Sequence, residues 1–198
     1  MMYLYGASGH AKVIIEIAEQ NGYTIGGLID ANPAITSLLG YAVSTAPPED
    51  NYSGNGFIIS IGNNQIRKRI AAELTSAHFE TLVHHQAAIS PRATIGEGTV
   101  VMAGVSINVE AAIGKHCIIN TNASIDHNCQ IADFVHISPN VALAGDVTVG
   151  EGTHVGIGAC IIQGIKIGKW CTIGAGTVVV RDVPDGATVV GNPGRIIK

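Results

Sequence analysis

The sequence predicts a two-part chain: an α/β domain of Rossmann-like type over residues 1–84, then a parallel β-helix over 85–198 with a short C-terminal tail. Three observations carry this. From Ile89 to Val179 every sixth residue is a branched aliphatic, sixteen in succession with no break in register. A second track, four residues behind each of these (Ala93, Thr99, Val105 and on to Val183), holds only small or β-branched residues. Residues 1–84 instead alternate short apolar runs with helically spaced ones.

A six-residue period is the signature of a parallel β-helix, in which each unit forms one short strand and one turn. Three units close a triangular coil of 18 residues, so the sixteen units make about five coils. Both tracks point into a narrow prism, which matches an aromatic content of only 5%. Cys117, Cys129 and Cys171 fall on the second track and read as small core residues. Cys160 lies off it and is expected to be more exposed. Glycine follows the aliphatic in pairs such as Ile95-Gly96 and Val149-Gly150, and is expected at corners that demand unusual backbone angles.

In the N-terminal part, Tyr3-Leu4-Tyr5 reads as a strand, Gly6-Ala7-Ser8-Gly9-His10 as a tight turn, and Ala11 to Gln20 as a helix ending at Asn21-Gly22. Ile25 to Ile29 is a second strand ending in Asp30. Residues 31–55 read as loop-rich, with Pro33, Pro47 and Pro48 and no strand assigned. Phe57 to Ile61 is a third strand, Ile66 to Leu74 a helix, and Phe79 to Val83 a fourth strand. This alternation implies a small parallel sheet. A Gly-rich strand-to-helix turn aims backbone N–H groups at an anion, often a phosphate. Asp30 is placed to accept hydroxyls from a ribose, and Gly62 ends the third strand on the same edge. Gly6-x-x-Gly9 falls short of the full dinucleotide fingerprint, and 84 residues supply one half of a doubly wound fold, which favours a mononucleotide. A tight βα turn with no ligand would carry the same residues.

Composition narrows the classes. Net charge is −4 with no basic cluster, which argues against nucleic acid. Mean hydropathy is +0.33, yet no apolar run reaches the roughly 18–20 residues of a membrane span. The start of the chain lacks the basic region and cleavage site of a signal peptide, and the four cysteines form no obvious framework, so a reducing, cytoplasmic setting is expected.

His127 and His136 lie nine residues apart, half a coil, and His136 and His154 lie 18 apart, one coil. None is on an inward track. His127, in Asp126-His127-Asn128, is bracketed by polar groups and has the ordinary pKa of a general base; a solvated surface histidine is the alternative. His78, His84, His85 and His116 are assigned no role. Zinc needs about three convergent imidazoles, and the repeat has no closely spaced histidine pair, so no metal is expected.

Several stretches together resemble the bacterial nucleotide-sugar N-acetyltransferases typified by PglD, within the NeuD-like hexapeptide-repeat acyltransferases. They are Tyr5-Gly6-Ala7-Ser8-Gly9-His10, Ile61-Gly62-Asn63-Asn64 with Ile66-Arg67-Lys68, Leu82-Val83-His84, Ser90-Pro91, Asn120 to Cys129, Phe134 with His136, and Val190-Gly191-Asn192-Pro193. The resemblance implies a left-handed β-helix and an enzyme that transfers acetyl from acetyl-CoA to the 4-amino group of a UDP-linked 4-amino-4,6-dideoxy-N-acetylhexosamine, on the route to di-N-acetylbacillosamine. It implies His127 as the base. Ser8, Gly9 and His10 would hold the UDP-sugar with Asp30, Ala31 and Gly62 nearby, and Asn120 would support the site. His136, Ile157 and Ala175 would contact acetyl-CoA, in a homotrimer whose active sites lie at subunit junctions. Sugar O-acetylation by a NeuD-like enzyme, on sialic acid or a related sugar, would use the same fold and base. The chain departs from the family at one place: a carboxylate usually follows the base and orients its imidazole, and here Asn128 follows.

Overall fold

The computed structural model describes residues 1–46 and 54–198. The N-terminal sheet contains β1 (Met2–Tyr5), β2 (Ile25–Ile29), β3 (Ser37–Leu38), β4 (Tyr41–Ser44), β5 (Gly56–Ile59) and β6 (His78–Phe79), in the order β3-β4-β2-β1-β5-β6. All neighbours are parallel except β3 and β4. Helix α1 (Gly9–Gln20) buries Ala11, Ile14, Ile15 and Ala18, the i, i+3, i+4, i+7 stripe of an amphipathic helix. Helix α2 (Asn64–Glu73) is capped by Asn63, whose Oδ1 accepts the Ile66 N–H at 3.0 Å.

The rest of the chain winds into a left-handed parallel β-helix with two-residue strands on three faces. The first face holds strands beginning at Leu82, Val100, Ile118, His136, His154 and Thr172. The second begins at Ala88, Ser106, Ser124, Ala142, Cys160 and Val178. The third begins at Thr94, Ala112, Gln130, Thr148 and Lys166. Both predicted tracks from Val101 and Val105 onward form one continuous core. Two inward threonines are satisfied locally: Thr99 Oγ1 donates to Gly114 O (2.8 Å) and accepts from Cys117 N (2.9 Å), and Thr153 Oγ1 donates to Gly168 O (2.7 Å) and accepts from Cys171 N (3.0 Å), whereas the buried Thr177 Oγ1 has no partner among the described residues. Cys117, Cys129 and Cys171 are buried and Cys160 is exposed; burial pushes the Cys117 thiol up to about 12.

Three expectations need correction. The stretch 31–55 is not all loop: Ser37 to Ser44 forms the β3–β4 hairpin, turned by Leu39 and Gly40 at positive φ, while Pro47 and Pro48 lie outside the described residues. Phe79 to Val83 is not one strand. His78–Phe79 pairs with β5, whereas Leu82–Val83 pairs with Val100–Val101 and is the first strand of the coil. The glycines that follow the aliphatics do not hold the unusual angles. A Cβ on Gly150 would lie 2.6 Å from the Gly168 carbonyl carbon, so glycine there permits close approach of successive coils. The left-handed angles sit two residues later, at every sixth residue from Gly98 to Gly176.

These left-handed positions stack into three columns, one per corner. Two contain Gly and Asn, or Asn, Asp, Gly and a single Glu; the third reads Gly98, His116, Phe134, Gly152, Trp170. Bulky residues at positive φ are rare, and here packing compensates. His116 is stacked on Phe134 (centroids 5.1 Å apart) and capped edge-on by Phe79 at 4.6 Å. Helix α2 runs along this corner. Arg67, 1% exposed, donates to His116 O (2.7 Å), Phe134 O (2.9 Å), Ile61 O (3.0 Å) and Asn64 Oδ1 (2.9 Å). Asn64 Nδ2 donates to Gly152 O at 3.0 Å, and Lys68 pairs with Glu151. On the other side, α1 and β1 share a core with Leu82, Val100, Met102 and Ile118 of the first face.

Arg67→Ala is expected to destabilise the chain by about 3 kcal/mol or more, because several buried carbonyls lose their donor at once. Arg67→Lys should recover less than half of that loss, since an ammonium cannot span the same acceptors; thermal melts of both variants check this. Burial lowers His116 to about 4. The unfolded chain therefore takes up a proton near pH 6.5 that the folded chain refuses until about pH 4. Stability is full above pH 6.5 and falls as the pH drops toward 4. In His116→Asn, where Asn tolerates the positive φ, the drop in melting temperature from pH 7 to pH 5 should be smaller than in the parent.

Candidate functional site

The loops after β1, β2 and β5 all leave the carboxyl ends of parallel strands. Strand order reverses at β1, with β2 on one side and β5 on the other, which is where open α/β sheets hold ligands. Ser8, Gly9 and His10 lie here at the start of α1. Ser8 occupies the N-cap without a side-chain capping bond, so its hydroxyl is not committed to the helix. Asp30 Oδ2 accepts the Ala7 N–H (2.8 Å) and Oδ1 accepts the Asn32 N–H (2.9 Å). Its carboxylate thus braces the first turn, which occupies part of the acceptor capacity expected to face a ribose. Ala31 is exposed beside it.

His10, Gly62, Asn120 and His136 meet where this edge abuts the first face of the coil. The His10 and His136 rings are 6.4 Å apart, and His136 stacks on His154 at 4.8 Å. His136 Nε2 lies 3.3 Å from Asn120 Nδ2, and its ring has a backbone hydrogen bond with Gly62. His154 Nε2 lies 2.8 Å from Ser138 Oγ. Burial, reinforced by the Arg67 charge, lowers His10 to about 4; burial, followed by His154 and Arg67, lowers His136 to about 3. Both are neutral at physiological pH and serve as hydrogen-bonding groups. His10 Nε2 is buried without a hydrogen-bond partner among the described residues. A cleft lined by Gly62, Asn63, Gly152, His154 and Trp170 opens next to the cluster.

His127 and Asn128 lie elsewhere, at the corner between the second and third faces. The His127 ring is exposed and lies over Gly145 of the next coil, where a Cβ would come within 2.5 Å of it. Its Nδ1 is 2.9 Å from Asn128 Oδ1, and among the described residues no hydrogen bond engages Nε2. The His127 N–H donates to Asp126 Oδ1 at 2.7 Å, and that oxygen also accepts from Asn108 Nδ2 at 2.8 Å. The hydrogen bond that Asn128 Oδ1 accepts from the ring, then the charge of Asp126, with Asp146 and Glu110 adding to it, raises the His127 pKa above its ordinary value. Ile157, 52% exposed, and the exposed Ala175 stack one coil apart at a third place, the corner between the first and second faces.

One chain therefore brings the expected sugar-side residues together with His136, but leaves His127 at one corner and Ile157 with Ala175 at another. Sequence reasoning missed Arg67 and Asn64 as junction residues and Ser138 as a member of the cluster, whereas the 18-residue spacing of His136 and His154 did place those two rings together. A signal for the junction exists: the outward residues Leu82, Val100 and Ile118 are large and apolar, whereas the other faces carry mainly small or polar residues outward. Among the described residues no group of three or more His, Cys, Asp or Glu is arranged to hold a metal, and no helix is long and apolar enough to cross a membrane.

Residues 2–74 match the family model described as the PglD N-terminal domain. The UDP-N-acetylbacillosamine N-acetyltransferase of Bacillus subtilis (strain 168) is 43% identical over 108 residues, which cover 50% of each protein. The chain spans half or less of the length of the curated relatives it matches. Among solved structures, a histidine-to-asparagine form of the perosamine N-acetyltransferase from Caulobacter crescentus, in complex with CoA and GDP-perosamine, aligns with a TM-score of 0.95 at 37% identity over 100% of this chain and 96% of that one. The acetyltransferase domain of PglB from Neisseria gonorrhoeae FA1090 aligns with a TM-score of 0.88 at 36% identity, covering 99% of this chain and 98% of that one. With similarity of this extent running through both the α/β domain and the β-helix, the chain belongs to the PglD-like family of sugar N-acetyltransferases.

Proposed function

We propose that the chain transfers an acetyl group from acetyl-CoA to the 4-amino group of a UDP-linked 4-amino-4,6-dideoxy-N-acetylhexosamine, with His127 as general base. The observation that carries the base assignment is the His127 ring itself: exposed, held through Nδ1, with no partner on Nε2 among the described residues and a raised pKa. The α/β domain, residues 1–84, receives the nucleotide sugar at Ser8, Gly9, His10, Asp30, Ala31 and Gly62, with Asn120 behind them. Acetyl-CoA lies along His136, Ile157 and Ala175. These groups occupy different corners of one chain, so a complete site is assembled between subunits of a homotrimer.

In the reaction the neutral sugar amine attacks the thioester carbonyl carbon. His127 Nε2 takes the amine proton as the N–C bond forms, the C–S bond breaks, and the imidazolium returns the proton to the departing thiolate. The tetrahedral oxyanion needs a fixed donor.

A specific observation supports a second reading of the nucleotide. The Caulobacter relative, similar along the whole chain, was solved with GDP-perosamine. Turnover with UDP- and GDP-linked 4-amino sugars, and with a hydroxy sugar in place of the amine, separates these readings and the O-acetylation alternative. Acceptance of the hydroxy sugar alone would overturn the proposal.

His127→Ala should lower kcat by about 10²–10⁴; near-parental turnover across pH would overturn the base assignment. In the parent, kcat/KM should rise with pH through a value above 6.5, because only neutral imidazole accepts the proton. Gly145→Ala places a methyl group against the His127 ring. It should lower kcat at least tenfold while leaving the melting temperature within a few degrees, since the displaced ring is exposed and free to swing away.

A further inference from the structure

Resting on the assignment of His127 as the base, we propose that Glu110 is a positioning residue that selects the catalytic tautomer of His127 by fixing the orientation of the Asn128 amide. Asn128 Nδ2 donates to Glu110 Oε2 at 2.8 Å. A carboxylate only accepts, so the amide NH₂ must face Glu110 and the amide oxygen must face the ring. Asn128 Oδ1 therefore accepts from His127 Nδ1, 2.9 Å away. In a neutral imidazole one nitrogen carries the hydrogen and the other the lone pair. With the hydrogen held on Nδ1, the lone pair is on Nε2, the nitrogen the protein leaves open. During the reaction Nε2 gains the amine proton while Nδ1 keeps its own, and the Glu110 charge, relayed through the polarised amide, favours the imidazolium.

The backbone supports this independently. Glu110 has φ +61°, one coil before Asn128 and two before Asp146 in the same corner column. Asn, Asp and Gly tolerate that conformation, whereas a longer side chain is held there against its preference. From this position the Glu110 side chain reaches the Asn128 amide. The other charged groups near the ring leave the role vacant: Asp126 Oδ1 is engaged by the His127 N–H and by Asn108, and Asp146 acts on His127 through charge alone. The carboxylate that the resemblance expects at position 128 is thus displaced by one coil, with Asn128 as the intermediary.

The test uses the full chain labelled with ¹⁵N-histidine, the His127 resonances being assigned by their loss in His127→Ala. The parent should show His127 protonated on Nδ1 when neutral. Glu110→Ala should shift it toward the Nε2-protonated form, move the acid limb of kcat/KM to lower pH, and reduce kcat about tenfold, the scale of one charge-assisted hydrogen bond, with KM for acetyl-CoA unchanged. Glu110→Gln, whose amide oxygen can still accept from Asn128, should restore the Nδ1-protonated tautomer but, lacking the charge, leave the acid limb at the lower pH. In Asn128→Asp either oxygen accepts from Nδ1 without help, so adding Glu110→Ala should cost nothing further. The proposal is overturned if Glu110→Ala leaves tautomer and pH profile unchanged, or costs the same factor in the Asn128→Asp background. Because the tautomer is read without turnover, failure of His127 as the base, seen as an active His127→Ala, is distinguishable from failure of the Glu110 relay.

Discussion

The arrangement of this chain depends on a buried guanidinium that pairs with no carboxylate among the described residues. Arg67 reaches from α2 into the corner of the β-helix and is held by carbonyls from both sides of the junction, those of Ile61, His116 and Phe134. Burial lowers its pKa only to about 10, so it keeps its charge at neutral pH. That charge has two effects. It ties the α/β domain to two successive coils at once, and it adds to burial, the larger cause, in lowering the pKa of His10, His136 and His154. The same side chain therefore joins the two parts of the chain and contributes to the lowered pKa of the histidines lining their junction.

The β-helix contributes rigidity and a ruler. Each corner column repeats every 18 residues at a left-handed backbone position, so side chains one coil apart lie on top of one another. One column is used for docking, with His116, Phe134 and Trp170 presenting rings to Phe79 and Lys68. Another carries Glu110, Asn128 and Asp146 beside His127. Residues distant in sequence act as neighbours there, and the glycine against the imidazole, Gly145, belongs to the next coil.

Much of the fold was legible because its physical cause is periodic. A prism too narrow for aromatics imposes its inward tracks at fixed intervals, and the tracks from Ile89 to Val183 lie where the spacing placed them. The strands and helices of the first part also follow their apolar patterns. The misreadings have local reasons. Phe79 to Val83 carries one continuous apolar pattern, yet its two ends pair with different sheets, and hydropathy does not record a change of pairing partner. The short β3–β4 hairpin has too few residues to show a period. The glycines after the aliphatics marked close approach of coils, a contact between segments 18 residues apart.

Residue chemistry placed His127, His136 and the Gly6–Gly9 turn as the groups to watch, since an imidazole off the inward tracks and a glycine-rich βα turn are readable from local sequence. The sequence by itself determined the prism, its register and the small α/β domain, because these follow from short-range periodicity. Only the tertiary structure decided that His136 belongs beside His10 and Asn120, that Arg67 joins the two parts, and that a carboxylate from the preceding coil stands behind Asn128. Each of those depends on which residues the winding of the chain stacks together, and stacking across coils leaves no mark in any local stretch of sequence.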